Sequence, residues 1–163
     1  MADRQVKLID PAQAAPPRVA LKPPVFDEDA VARADQALQS MSGSFQYWLD
    51  QEVARLQGAR LVVESHWSRD TVDALLIAAH DLKGMGATYD YPLVTQIAGS
   101  LCRLIDSEEG REAARKRPML VAAHVDAIRA AARDGVRTDA NSIGDALLKA
   151  LETQVEALGL PAD

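Results

Sequence analysis

The sequence contains one cysteine, seven aromatic residues and no long apolar run among its 163 residues. A single cysteine excludes an intrachain disulfide and any zinc or iron–sulfur site built on several cysteines. The shortage of aromatic residues argues against a β-sandwich or barrel, whose strands are rich in them. No apolar run approaches the roughly 18 residues that span a bilayer, and the hydrophobic stretch of a secretory signal is missing. We therefore expect a soluble, cytoplasmic protein.

The charge balance excludes a further class of partner. Lysine and arginine total 18 against 24 aspartate and glutamate residues, which gives a formal net charge of −6. Because a nucleic-acid backbone is densely negative, an acidic chain matches it poorly. We expect neither nucleic acid nor membrane among the main partners.

Alanine is the residue in excess, with 29 positions, and 48% of the chain is hydrophobic. Alanine, leucine and valine combined with 26% charged residues favour amphipathic helices. The length suits one domain with one core. The composition therefore indicates an all-α protein.

The first 26 residues form a distinct segment, because they hold five of the eight prolines and four basic residues. Helix cannot continue through prolines at this spacing. We predict an extended or disordered tail over residues 1–26, followed by a helical domain over residues 27–163.

Helical periodicity predicts six helices after this tail. The breaks and start signals that delimit them are Ser42-Gly43-Ser44, the connection from His66 to Asp70, Pro92, the charged link from Ser107 to Arg117, Pro118, and Asn141-Ser142. Either Ser68 or Asp70 can cap the helix that follows His66 to Asp70. Short connections favour an antiparallel four-helix bundle with additional N- and C-terminal helices, its core at about 44–135. The last apolar stripe either packs on this bundle or forms a dimer seam.

The third predicted helix carries the residues with the most chemistry. Its core stripe consists of Val72, Leu75, Ala79, Leu82 and Tyr89. At 100° per residue, His80 lies roughly 130° from the centre of that stripe, so its imidazole should stand at the surface. The same side carries Leu76, Ile77, Lys83, Gly84 and Ala87.

Two glycines inside this helix lower its stability, so we expect an interaction that compensates for the loss. A mid-helix glycine costs about 1 kcal/mol relative to alanine. Gly84 and Gly86, together with Ala87, predict a bare helix surface beside His80, on which the backbone of another protein could lie closely.

The stretch His80-Asp81-Leu82-Lys83-Gly84 resembles the signature of histidine-containing phosphotransfer (HPt) domains. The resemblance covers this pattern and the helices from about Phe45 to Gly135. It implies a four-helix bundle on which His80 accepts a phosphoryl group from a receiver-domain aspartyl phosphate and passes it to another receiver.

The resemblance also implies roles for the neighbours of His80. Lys83 would neutralise phosphoryl charge, Gly84 would permit docking, and Leu76, Ile77 and Ala87 would contact the partner, although Leu76 and Ile77 are equally explained as core residues. We expect no cofactor or metal on this chain and Mg²⁺ on the receiver. The partners would be response-regulator receivers and an upstream hybrid kinase or other phosphodonor, and the chain would act as a monomer.

The sequence departs from the family pattern after the site helix. The family commonly has a hydrophobic residue and then glycine nine and ten positions after the histidine. Here these positions are Tyr89 and Asp90, closely followed by Pro92. We therefore expect a different turn after the site helix. This bears on which receiver binds more than on the transfer chemistry at His80.

Two other functions fit the same residues. A receiver-binding module that sequesters its partner without relay would share every docking feature. A histidine kinase dimerisation core also presents a histidine, an acid, leucine and a basic residue, but no glycine-rich nucleotide-binding pattern follows His80. His66 and His124 lack metal-ligand spacing, and we interpret them as structural or surface residues. Cys102 adjoins the apolar Leu101, and we interpret it as a buried small hydrophobic side chain and not as a reactive thiol.

Overall fold

The computed structural model describes residues 28–135 and 142–160. Within these ranges the chain is helical and contains no strand. The six helices are α1 (Glu28–Ser65), α2 (Arg69–Thr88), α3 (Pro92–Asp106), α4 (Glu108–Lys116), α5 (Pro118–Arg133) and α6 (Ser142–Glu156). The chain divides after Leu38 into two units, and the core and the candidate site belong to the unit that begins at Gln39. The predicted tail over residues 1–26 lies outside the described residues.

Helix α1 is continuous, so the predicted break at Ser42-Gly43-Ser44 is wrong. One glycine costs a helix only about 1 kcal/mol, and helix propagation on both sides outweighs this cost. Leu49, Leu56 and Val63 recur every seven residues along α1 and are buried in the core. This spacing places them on one face, as the sequence predicts.

Helix α2 begins and packs as its sequence indicates. The Ser68 hydroxyl accepts a hydrogen bond from the backbone N–H of Thr71, and the Thr71 hydroxyl oxygen accepts one from the Ser68 N–H. This reciprocal capping satisfies two backbone donors that the helix start would otherwise leave unpaired. The buried residues Val72, Leu75, Ala79 and Leu82 confirm the predicted core stripe, whereas Tyr89 is only half-buried.

The predicted link from Ser107 to Arg117 is instead the helix α4, which is a correction. Ser107 caps it by accepting a hydrogen bond from the Gly110 N–H at 3.0 Å. Arg111 then donates to the Ile105 carbonyl at 2.9 Å and pairs with Asp73 of α2 at 2.7 Å. The sequence carried the signal in acids at the first turn and bases at the last, which favour a helix through its dipole.

Helices α3, α5 and α6 complete the core. Pro92 and Pro118 lie in the first turns of α3 and α5, as predicted. Leu151 and Val155 of α6 are buried in the same core as α3 and α5, so the last helix does pack on its own domain. Ile143 at the start of α6 remains 79% exposed. No helix in the described ranges is long and apolar enough to cross a membrane.

The turn between α2 and α3 explains the departure at Asp90. Asp90 has a φ of 63°, the left-handed conformation that glycine favours. Aspartate tolerates this region better than most residues with a Cβ. The Tyr91 N–H next donates to the Gly86 carbonyl at 2.8 Å, which closes the turn. The aspartate therefore occupies a backbone conformation suited to glycine.

The strain at Asp90 can be measured with β-branched substitutions. We expect Asp90→Val to lower the free energy of unfolding by about 1–2 kcal/mol, because valine adopts positive φ poorly. Asp126→Val on α5, where the backbone is helical, should stay within about 0.5 kcal/mol of the wild type. Urea unfolding measures both, and equal losses in the two variants would show that the turn at Asp90 is unstrained.

Candidate functional site

His80 is exposed on α2, as the periodicity predicts, and it borders two concave surfaces. The first, here the cationic groove, measures about 480 Å³ and is lined by Leu76, Ile77, His80, Lys83, Cys102, Arg103 and Asp106. The second, here the acidic groove, measures about 440 Å³ and is lined by Glu52, His80, Asp81, Gly84, Met85, Thr88 and Tyr89. The imidazole thus lies at the boundary between a surface with two cations and a surface with two carboxylates.

Lys83 is held on the cationic side by contact with α3. Its alkyl chain lies over Gly99, because a Cβ placed on Gly99 would be 3.7 Å from the Lys83 Cε and 4.0 Å from its Nζ. Lys83 is half-buried as a result. No motif in the sequence distinguishes Gly99, although an isolated glycine inside a helix pattern often marks a close approach.

Arg103 is a second cation that sequence analysis missed. It follows Gly99 by four residues, so both lie on the same face of α3. Arg103 lines the cationic groove together with His80 and Lys83. Its Nε and Nη2 atoms are buried and have no hydrogen-bond partner in the described part of the chain. Since 23 positions separate Arg103 from His80, only the packing of α3 against α2 brings them to one groove.

The carboxylates of the acidic groove are tied to α1. Arg55 pairs with Asp81 of α2 and, at 2.9 Å, with Glu52 one turn earlier on its own helix. Asp81 is therefore held by an ion pair with α1. The Arg55–Asp81 pair is partly exposed, so it positions α1 against α2 more than it stabilises the fold.

Aromatic side chains extend the surface beyond the acidic groove. The Tyr89 ring stacks on Phe45 with centroids 4.5 Å apart, and Trp48 lies 6.4 Å from Tyr89. Trp48 and Tyr47 remain 42% and 61% exposed. Tyr89 thus joins α2 to the aromatic residues of α1 instead of filling the centre of the core.

The two glycines of α2 have different environments. A Cβ on Gly84 would meet nothing within 4 Å, so no packing within the described residues requires glycine there. Gly86 is buried, and a Cβ there would lie 2.6 Å from Thr95 Oγ1 and 3.0 Å from the Thr95 backbone N. The prediction that Gly86 belongs to the bare surface is therefore wrong, since it permits the close approach of α3.

The other predicted docking residues also lie around His80. Ile77 is 57% exposed and Leu76 is half-buried, and both line the cationic groove. Ala87 is exposed but lines neither groove. Cys102, interpreted from the sequence as a buried small side chain, is half-buried and lines the cationic groove.

His124 packs in the core, where both of its ring nitrogens are hydrogen-bonded. It is fully buried, with Nδ1 at 2.7 Å from the Leu120 carbonyl and Nε2 at 3.0 Å from Ser100 Oγ. Because the carbonyl only accepts, Nδ1 carries the proton and the neutral ring accepts the Ser100 hydroxyl at Nε2. Burial lowers the pKa of His124, the bond to Leu120 opposes this shift, and the charge of Arg103 lowers it further. His124 is thus held neutral inside the core.

Within the described ranges, no group of three histidine, cysteine or carboxylate side chains is placed to hold a metal ion. Comparisons with protein-family models, curated proteins and solved structures give no match.

The two glycines should respond in opposite ways to the same substitution. Gly84→Ala should raise the free energy of unfolding by up to about 1 kcal/mol, because alanine is the better helix former and nothing obstructs its methyl group. Gly86→Ala should lower it by about 1–3 kcal/mol, because the methyl group would collide with the Thr95 backbone. Urea unfolding of both variants tests this difference. Changes of the same sign would contradict the assignment.

His124 should make stability depend on pH. Its pKa is lower in the folded state, so its contribution is fully present above about pH 6.5, the ordinary histidine pKa, and is lost as the pH falls toward the folded-state value. The slope of the free energy of unfolding against pH that this one group causes reaches at most about 1.4 kcal/mol per pH unit. The free energy of unfolding should therefore decline less between about pH 7.5 and 5.5 in His124→Gln than in the wild type. His66→Gln, at an exposed histidine, provides the control, and equal declines in all three proteins would contradict the origin in His124.

Proposed function

We propose that this chain is a histidine phosphotransfer protein that accepts a phosphoryl group on His80 from a receiver-domain aspartyl phosphate and delivers it to a second receiver. The observation that carries the proposal is the pairing of an exposed histidine with Gly84, a glycine that no packing within residues 28–135 and 142–160 requires. The helix tolerates an unfavourable residue beside a nucleophile, which is expected where another protein must approach closely.

The proposed step needs little from the chain beyond a positioned nucleophile. A neutral imidazole nitrogen of His80 donates its lone pair to phosphorus while the bond from phosphorus to the aspartyl oxygen breaks. The aspartate leaves as a carboxylate with that electron pair, and the imidazole proton on the other nitrogen can pass to water. Histidine suits this role because the lone pair of a neutral imidazole nitrogen is a competent nucleophile.

In this proposal Lys83 assists the transfer. Phosphoryl transfer depends mainly on in-line geometry and on compensation of charge at the oxygens. Lys83 lies one turn from His80 and is supported along its stem by Gly99. Its ammonium would neutralise part of that charge, and the Mg²⁺ held by the receiver would neutralise the rest.

The docking surface follows from the same geometry. Gly84 and Ala87 would give the receiver access to the α2 backbone, and Ile77 and Leu76 would contribute apolar area in the cationic groove. In this proposal the helices around the site form an antiparallel four-helix bundle that acts as a monomer in the cytoplasm, and a hybrid kinase or another phosphodonor lies upstream.

Transfer from receivers provides the direct test. Each receiver domain of the source genome is loaded with radiolabelled acetyl phosphate and Mg²⁺ and then mixed with this protein. We expect at least one receiver to label the wild type and His66→Gln, and none to label His80→Gln, since His80 is the nucleophile. Circular dichroism confirms that both variants are folded.

Labelling that persists in His80→Gln would eliminate this histidine as the acceptor. Addition of a second, unlabelled receiver then separates a relay from sequestration. A relay passes the label on, whereas a sequestering module retains it or never acquires it.

A further inference from the structure

The cationic groove contains a charged group that the proposed function leaves unused. Arg103 lines this groove with His80 and Lys83, and its Nε and Nη2 atoms are buried without a hydrogen-bond partner in the described ranges. A guanidinium stays charged at every physiological pH, and leaving its donors buried and unpaired is unfavourable. A charged guanidinium with two unpaired hydrogen-bond donors favours an anion as its partner.

The fork of the guanidinium fits a phosphoryl group. Arginine donates two parallel hydrogen bonds to phosphate oxygens, whereas lysine acts as a point charge. Lys83 approaches the groove from α2, and Arg103 approaches it from α3, one turn beyond the Gly99 on which the lysine stem rests. The two cations therefore flank the groove from different helices.

We propose that Arg103 and Lys83 together bind the oxygens of the phosphoryl group on His80, which makes Arg103 a catalytic residue. This inference rests on the proposed function, since it requires His80 to carry phosphate. As negative charge accumulates on the equatorial oxygens during transfer, the two donors compensate it. Asp106 lines the same groove and opposes them, while Glu52 and Asp81 face His80 from the acidic groove.

A chemical phosphodonor tests the site without any receiver. In phosphoramidate the bond between phosphorus and nitrogen breaks, phosphorus bonds to a His80 ring nitrogen, and ammonia leaves with the electron pair. Phosphorus NMR then follows the labelled protein, and loss of the signal in His80→Gln assigns it to His80.

Variants of Arg103 and Asp106 should shift the pKa of the phosphoryl group in opposite directions. In Arg103→Gln and Arg103→Met, labelling should slow by about tenfold, the effect of one charge-assisted hydrogen bond. The pKa of the phosphoryl group should rise by about one unit in a pH titration, because a nearby cation is lost. Asp106→Asn removes the opposing carboxylate at an exposed position and should lower that pKa. Arg129→Gln, which removes an equal charge from α5 outside the groove, should match the wild type.

The phosphoryl pKa distinguishes contact from a structural role, because an arginine that only supports the fold would leave it unchanged. A wild-type pKa in the folded Arg103 variants overturns the inference, as does failure of phosphoramidate to label His80. If both Arg103 variants fail to fold, an unchanged pKa in Asp106→Asn overturns it. Failure of every receiver to label the protein would instead sink the proposed relay, while the NMR titration would still report whether Arg103 binds phosphoryl oxygens.

Discussion

The close approach of α2 and α3 is the constraint on which the site depends. Gly86 permits it, because any larger residue would collide with the backbone at Thr95. The same approach lets the Lys83 stem rest on Gly99 and brings Arg103 to the groove beside His80. Two glycines on facing helices therefore set the distance between His80 on α2 and Arg103 on α3. A separation larger by one methyl group would displace Arg103 from His80, and in the proposed transfer electrostatic stabilisation would fall because its donors would be misplaced.

Gly86 and Gly84 differ in their environments, and this difference connects the packing of α2 against α3 to the proposed function. Gly86 is required for the packing of α2 against α3, whereas Gly84, two positions earlier, lowers helix stability and has no packing contact among the described residues. The imidazole of His80 lies between a cationic groove and an acidic groove, the latter tied to α1 through Arg55. A docking receiver would thus meet surfaces of opposite charge on the two sides of the histidine. Complementary charge of this kind governs orientation and specificity more than affinity.

Much of the fold was predictable, because periodicity and capping act locally. The stripe from Val72 to Leu82, the cap at Ser68 and the prolines at the starts of α3 and α5 all lie where the sequence places them. The two errors in helix boundaries share one cause, which is that a polar or glycine-containing segment does not by itself end a helix. Ser42 to Ser44 lies within α1, and the segment after Ser107 forms α4, anchored by Arg111 to α2 and to the end of α3. Such segments become helical when capping or neighbouring turns compensate for weak propensity.

The sequence by itself determined the helical class, the exposure of His80 and its relation to Lys83 and Gly84, since these follow from a 3.6-residue period along one helix. Only the tertiary structure decided that Gly86 is buried, that Asp90 adopts positive φ, and that Gly99 and Arg103 complete the groove. The physical reason is the range of the interactions. Periodicity relates residues within a few turns, whereas a cation on α3 reaches a histidine on α2 only through the packing of their buried faces, which no local pattern encodes.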